Sequence, residues 1–162
     1  MLAKDPDIPE VLFNLGYIYA QKKDIAAAEA EYKKALELRP NYTDASAALA
    51  KIYQEGGQGD KAMEMMAKTA TENPEDAKAQ FNMGVVYLNS GKSQEAIAAF
   101  QKVVAADPKM AEAYYHLGTL MVGQNKIAEA VGYLEKYLSM NPTNAQNVAT
   151  AQGLLAALKP KK

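Results

Sequence analysis

Prolines recur along this chain at one fixed interval, and that interval limits what the chain can fold into. A step of 34 residues separates Pro6, Pro40, Pro74, Pro108 and Pro142. Two further series keep the same step, one of small residues and one of alanines: Gly16, Ala50, Gly84, Gly118, and Ala28, Ala62, Ala96, Ala130. Several interleaved series at one period do not arise by chance, so the chain is built from internal repeats.

Each period is predicted to hold two helices. In the first period Leu12, Leu15 and Tyr19 recur about one helical turn apart, as the packing face of a helix does. Each second helix should end just before its proline, because proline disfavours helical geometry in the residue before it. The predicted helices span roughly 9–22, 26–38, 43–55, 60–72, 77–90, 94–106, 111–124, 128–140 and 145–158.

The small residues predict where the helices of a pair approach most closely. A larger side chain at Gly16 or Ala50 would push the two helices apart. Ala28 and its equivalents are expected to face these positions from the second helix.

Gly16, Tyr19, Ala28, Tyr32 and Pro40 fit the signature of the tetratricopeptide repeat family, and the chain resembles that family in four successive units. The resemblance implies an all-α fold, a right-handed α-α superhelix (solenoid) of antiparallel helix pairs. It also implies repeats at 9–42, 43–76, 77–110 and 111–144, and a capping helix at 145–158. We expect residues 1–8 to be a remnant of a preceding repeat or a short leader, and residues 159–162 to be a disordered tail.

The second repeat departs most from the family pattern. That pattern opens each repeat with a large aromatic residue, and the position is held here by Leu12, Ser46, Gln80 and Tyr114. Thr69 also replaces an apolar residue, and Met66 replaces an aromatic one. The second repeat is therefore predicted to be the least stable part of the array.

Composition argues against catalysis and against several kinds of ligand. The formal net charge is -1, which offers no general attraction for nucleic acid. The chain has no cysteine and only one histidine, His116, so neither a metal site nor any other cofactor is expected. No nucleophile elbow or phosphate-binding loop is present, and no enzymatic activity is expected. No apolar window is long enough for membrane insertion, and nothing identifies the compartment.

The family resemblance implies that the first helix of each pair lines a concave groove, and we expect that groove to bind a peptide segment of another protein. The predicted groove residues are Phe13, Tyr17, Lys51, Lys78, Phe81, Asn82, Val85, Leu88, Tyr115 and Thr119. Their apolar surface would support micromolar binding. The alternative for Phe13, Phe81 and Tyr115 is packing within the chain. For Lys51 and Lys78, simple solvation is the alternative to holding an acidic group.

Two other functions remain open at this stage. The first is self-association through the terminal helices, for which Leu154, Leu155 and Leu158 are the candidate contacts. The second is service as the accessory, substrate-positioning arm of a larger enzyme or secretion assembly. His116, at the groove margin, is interpreted mainly as a structural polar residue, with a role in partner binding as the alternative.

Overall fold

The computed structural model describes residues 8–158, and that range forms nine α-helices without a strand. They are α1 (Ile8–Gln21), α2 (Ile25–Leu38), α3 (Thr43–Glu55), α4 (Gly59–Glu72), α5 (Ala77–Asn89), α6 (Ser93–Ala106), α7 (Ala111–Gly123), α8 (Ile127–Ser139) and α9 (Ala145–Leu158). Each predicted helix is found, with ends within one residue of those expected. Apart from Ile8, which opens α1, the predicted leader lies outside the described residues, as does the predicted tail at 159–162.

The helices form two compact units, the first ending at Val86 and the second beginning at Tyr87. In the first unit α1 packs on α2, α2 on α3, and α3 on α4. In the second unit α6 packs on α7, α7 on α8, and α9 on both α8 and α7. Within each unit, these successive helices are therefore neighbours in space. The predicted all-α helical repeat is confirmed. The handedness of the array stays a prediction.

Glycines mark the closest approach within two helix pairs. A methyl group at Gly16 would lie 2.7 Å from Cε1 of Tyr32, and one at Gly118 would lie 2.6 Å from Cδ2 of Leu134. Carbon atoms in ordinary contact are about 3.5–4.0 Å apart, so neither position has room for a side chain. The predicted reason for these glycines is confirmed. At Gly16 the three nearest atoms all belong to Tyr32 on α2, and the facing of Gly16 by Ala28 stays a prediction.

The turns inside the helix pairs repeat one backbone conformation. A residue with positive φ occurs at the same point of each period: Lys23 (63°), Gly57 (73°), Gly91 (73°) and Asn125 (58°). The next residue donates its N–H to a carbonyl five residues back, as in Asp24 N to Tyr19 O at 3.0 Å. This bond and the left-handed residue together end a helix in the Schellman manner. The turn geometry is therefore shared although the turn sequences differ.

Candidate functional site

Two aromatic residues on α1 differ sharply in how much surface they expose. The half-buried Phe13 has its ring centroid 5.6 Å from that of Tyr32 and 5.4 Å from that of Tyr42. One turn further along the helix, Tyr17 keeps 55% of its surface exposed. Phe13 is therefore packed largely against its own neighbours, whereas about half of the surface of Tyr17 is exposed to solvent.

The two lysines predicted to face the groove both have acidic neighbours within the first unit. The ammonium group of Lys78, on α5, forms an ion pair with Asp44 on α3. Lys51 lies 3.8 Å from Glu55, one turn away on the same helix, and its side chain is 75% exposed. Exposed ion pairs of this kind contribute little to stability. That the two lysines converge on one acidic group of a partner stays a prediction.

A carboxylate on α1 takes part in a similar pairing. Glu10 accepts hydrogen bonds from both terminal nitrogens of Arg39, one of them at 3.1 Å from Oε2. These bonds hold the pKa of the Glu10 carboxyl below its usual range. Arg39 also stacks over Tyr42, with its guanidinium carbon 5.1 Å from the ring centroid. The Glu10 carboxylate at the start of α1 is thus already paired with Arg39 of the same chain.

Residues of α5 predicted to face the groove are only partly accessible. Phe81, Asn82 and Val85 are all half-buried. The Nδ2 atom of Asn82 is buried and has no hydrogen-bond partner among the described residues. Beside them, Gln80 is buried and donates a 2.9 Å hydrogen bond from Nε2 to the carbonyl of Ala70, which anchors α5 on α4. Phe81, Asn82 and Val85 are therefore neither fully buried nor freely exposed.

In the second unit the predicted groove residues are half-buried as well. The ring centroid of Tyr115 lies 5.3 Å from that of Tyr137, so part of Tyr115 packs inside the unit. Thr119 donates its hydroxyl to the carbonyl of His116 at 2.9 Å, a bond within α7 itself. Leu88 is also half-buried. Each of these three residues is therefore partly covered by its own neighbours, and their common role in a groove stays a prediction.

His116 is held mainly by packing. Its imidazole stacks on Phe100 with centroids 4.8 Å apart and planes inclined by 10°. Burial lowers the pKa of the imidazole, and the charge of Glu112 opposes that shift only in part. A mostly neutral, stacked ring fits the structural interpretation of this histidine.

The leucines of the last helix also contribute to the core. Leu154, Leu155 and Leu158 are half-buried against a cluster of three fully buried residues, Leu134, Tyr137 and Ala151. Their packing against this cluster reduces the surface that they offer to a second copy of the chain.

More exposed apolar residues occur on α1, and the sequence reasoning did not select them. Val11 is 62% exposed and Ile18 is 48% exposed. They are seven residues apart, so both lie on one face of the helix. The spacing of Val11 and Ile18 is visible in the sequence, but the spacing of Leu12, Leu15 and Tyr19 equally marks a packing face of the same helix.

Two kinds of site are absent from the described part of the chain. Residues 8–158 contain no group of three or more His, Asp or Glu side chains that could hold a metal ion. None of the helices in that range is both long enough and apolar enough to cross a membrane.

The sequence matches models of one protein family, and the structure matches solved proteins. The family described as tetratricopeptide repeat matches residues 19–81 and again residues 81–145. The sequence has no match among curated proteins.

Several solved structures have the same fold. MamA from Desulfovibrio magneticus RS-1 is 26% identical, with a TM-score of 0.67 over 85% of this chain and 77% of that one. PilF of Pseudomonas aeruginosa is 22% identical, with a TM-score of 0.77 over 97% of this chain and 79% of that one. YrrB, described as a TPR protein with an unusual peptide-binding site, is 22% identical, with a TM-score of 0.69 over 91% and 76% of the two chains.

Proposed function

We propose that this chain, which belongs to the tetratricopeptide repeat family, binds a peptide segment of a partner protein along the first helices of its pairs. Repeats of this family generally mediate protein–protein interaction, and the family is generally non-enzymatic. The peptide-binding site described for YrrB gives a precedent within the fold. The proposed contacts are the predicted groove residues, with Tyr17 as the central one.

The exposure of Tyr17 is the observation that carries this proposal. Tyr17 is 55% exposed and lies one turn from Phe13, which packs against two tyrosines, so the Tyr17 side chain is available to a partner. Burying roughly 200 Å² of such surface would contribute about 5 kcal/mol at ~25 cal/mol per Å². Micromolar binding requires a net free energy of about 8 kcal/mol. Hydrogen bonds to the peptide backbone would have to contribute the remaining free energy and also offset the entropic cost of association.

The sharpest test compares two exposed apolar residues. Peptides would first be selected on the wild-type chain from a random phage-displayed library, and their affinities measured by calorimetry. Tyr17→Ala should weaken the selected peptides at least about tenfold, since ~1.4 kcal/mol is lost with the ring. Leu38→Ala is the matched control, because Leu38 is 46% exposed but lies at the end of a second helix. Equal losses in the two variants would contradict the proposal.

A combined variant extends the test to α5. Tyr17, Val85 and Leu88 changed together to alanine should abolish peptide binding, because most of the apolar contact surface would be gone. Circular dichroism must show that the variant keeps its helix content. Unchanged affinity in a folded triple variant would rule out the first-helix surface as the binding site.

Self-association is a second candidate, favoured by the exposed face of α1. Val11 and Ile18 leave more apolar surface free than the half-buried leucines of α9. If the chain dimerises through α1, the molar mass of the wild type measured by light scattering should rise with concentration. The Val11→Ser, Ile18→Ser double variant should keep the mass of a monomer at every concentration. The corresponding change at Leu154 tests the route through α9. A wild-type chain that stays monomeric throughout would end both versions.

A further inference from the structure

A row of apolar residues runs along one side of α1. Its members recur at steps of three and four residues, the spacing that forms the contact line between paired helices. This row, named here the α1 seam, consists of Ile8, Val11, Leu15 and Ile18. Three of the four side chains are exposed, and Leu15 is half-buried. The α1 seam therefore has both the spacing and the exposure of a face that binds another helix.

In later repeats the same face is covered by the preceding helix pair. α3 packs on α2 and α7 packs on α6, and the equivalents of Leu15 on these helices, Leu49 and Leu117, are only 1% and 0% exposed. At the position of Val11 the later repeats hold alanines that are at most 2% exposed: Ala45, Ala79 and Ala113. Successive repeats thus stack through this face, whereas Val11 and Ile18 of the first pair stay exposed.

The valine at position 11 restricts what can cover the α1 seam. Val11 carries two methyl groups more than the buried alanines at the equivalent positions, and a close-packed contact is sensitive to even one extra methylene. Distances between the axes of packed helices vary from about 8 to 10 Å with the size of the side chains between them. Val11 therefore favours a helix packed at the wider end of this range over another repeat packed as α2 packs on α3.

The electrostatics of α1 favour a second copy of the same chain as the source of that helix. Glu10 is the only charged residue of α1, and Arg39 already pairs with it. Asn14 and Gln21, which flank the α1 seam, are uncharged. Two such faces brought together place no like charges opposite each other. A partner that relies on charge complementarity would find no counter-charge on α1.

We propose that α1 pairs in antiparallel orientation with α1 of a second copy, along the α1 seam. The midpoint of α1 falls between Asn14 and Leu15, so Val11 and Ile18 lie equally far from it. In an antiparallel pair, Val11 of each copy therefore faces Ile18 of the other. This orientation also opposes the two helix dipoles and keeps the two Glu10 carboxylates at opposite ends of the pair. The inference rests on the self-association candidate of the proposed function and specifies its contact and orientation.

This pairing leaves Tyr17 of each copy free to bind a peptide. Successive residues of a helix are rotated by about 100°, so Tyr17 points at least about 100° away from every residue of the α1 seam. Phe13 lies on the side of Tyr17, more than about 130° from the same residues. The dimer therefore carries two peptide-binding surfaces. A partner that presents two copies of its segment should bind it more tightly than a partner with one.

The small size of the contact predicts a weak dimer. α1 has 14 residues and is therefore about 21 Å long. One helix of this length packed on its twin buries less than the roughly 1,200 Å² at which stable interfaces begin. The expected dissociation constant is on the order of 100 µM.

The absence of cysteine from the chain makes the test direct, because a single substitution introduces the only thiol. Alkylation of Val11→Cys by excess iodoacetamide should slow at least about threefold when the chain concentration rises from far below the dissociation constant to roughly ten times it. Ile18→Cys repeats the measurement with Val11 intact. Circular dichroism must show that each variant keeps its helix content.

Two matched variants complete the alkylation test. Tyr17→Cys should react at a rate that does not change with concentration, and so should Ala30→Cys, at an exposed position of α2. Rates independent of concentration at both seam positions would overturn the proposal. A rate that slows at Tyr17→Cys would overturn the inference that both peptide-binding surfaces stay free.

Disulfide formation tests the orientation. Val11→Cys and Ile18→Cys chains, one of them lengthened by a C-terminal tag, are mixed and treated with oxidised glutathione. The mixed disulfide should exceed its statistical share at least about threefold, because only an antiparallel pair brings positions 11 and 18 within the Cα separation of about 4–7 Å that a disulfide spans. A statistical mixture, or an excess of the two symmetric products, would overturn the antiparallel arrangement.

These measurements use no peptide, so a failure of peptide binding leaves the dimer proposal standing. Concentration-independent alkylation at both seam positions, in turn, leaves the peptide-binding proposal untouched. If light scattering shows a dimer while the thiols at positions 11 and 18 react at constant rates, self-association belongs to another surface and the α1 seam is refuted.

Discussion

Gly118→Ala should destabilise the protein although alanine is the better helix former. The added methyl group would lie 2.6 Å from Cδ2, 2.7 Å from Cγ and 3.3 Å from the backbone nitrogen of Leu134. The nitrogen belongs to α8 itself, so a new rotamer of Leu134 cannot remove the whole conflict. Overpacking of this kind costs roughly 1–3 kcal/mol, and the gain in helix propensity returns about 1 kcal/mol. The expected net loss is about 1 kcal/mol, or roughly 2–4 °C in melting temperature.

Gly132→Ala isolates the packing contribution. Gly132 lies within α8, and a methyl group there would have no neighbour within 4 Å. The same substitution should therefore stabilise the chain by about 1 kcal/mol, through helix propensity alone. Urea unfolding followed by circular dichroism should separate the two variants by about 2 kcal/mol. Similar stabilities would refute the claim that Gly118 is required for close approach.

A change at Leu134 provides a second check on the same contact. Leu134→Ala alone should cost about 2–5 kcal/mol, because a fully buried side chain is removed. In that background the methyl group of Gly118→Ala no longer meets Cδ2 or Cγ of Leu134. The effect of Gly118→Ala should then change sign and become stabilising. Additive effects in this double-mutant cycle would contradict the proposed crowding.

Three further outcomes are expected. Lys23 has a φ of 63°, so Lys23→Gly should raise the free energy of unfolding by about 0.5 kcal/mol in urea titrations, while Gly91→Ala should lower it by about 1 kcal/mol. Because burial lowers the pKa of His116 in the folded chain, the unfolded chain takes up the proton first as the pH falls. Above about pH 7, wild-type stability should therefore differ from that of His116→Phe only by a constant offset. As the pH falls below about 6.5, the wild type should lose stability relative to the variant. The buried hydroxyl of Tyr137 has no hydrogen-bond partner in the described range, so Tyr137→Phe should stabilise the chain by about 1 kcal/mol in thermal unfolding.

The helices and the turns between them were largely predictable, because short-range interactions determine both. Leu12, Leu15 and Tyr19 mark one face of α1 by their spacing, and the fixed step between prolines limits where each pair can end. Gly16 marked a close helix contact for the same reason, since a residue without a side chain is costly in a helix unless space requires it. The family resemblance extended these local inferences to the whole array.

The candidate sites were less predictable, because accessibility depends on neighbours that are distant in sequence. Phe13 could not be known to lie between Tyr32 and Tyr42 until the helices were assembled. Ser46 stands where the family pattern has a large aromatic residue, and only 2% of its surface is exposed in the structure. Val11 is not among the predicted contacts, although it is the most exposed large apolar residue in the described range.

Backbone preferences and side-chain periodicity act over a few residues. The amino-acid sequence alone was therefore sufficient to predict the helices, their approximate ends and their repeat. The solvent exposure of each side chain, unlike the position of a helix, is not determined by local sequence. It depends on the side chains that neighbouring helices bring together, as when Phe13 packs against Tyr32 and Tyr42. Only the assembled helices decide that quantity, because burial requires neighbours that are distant in sequence.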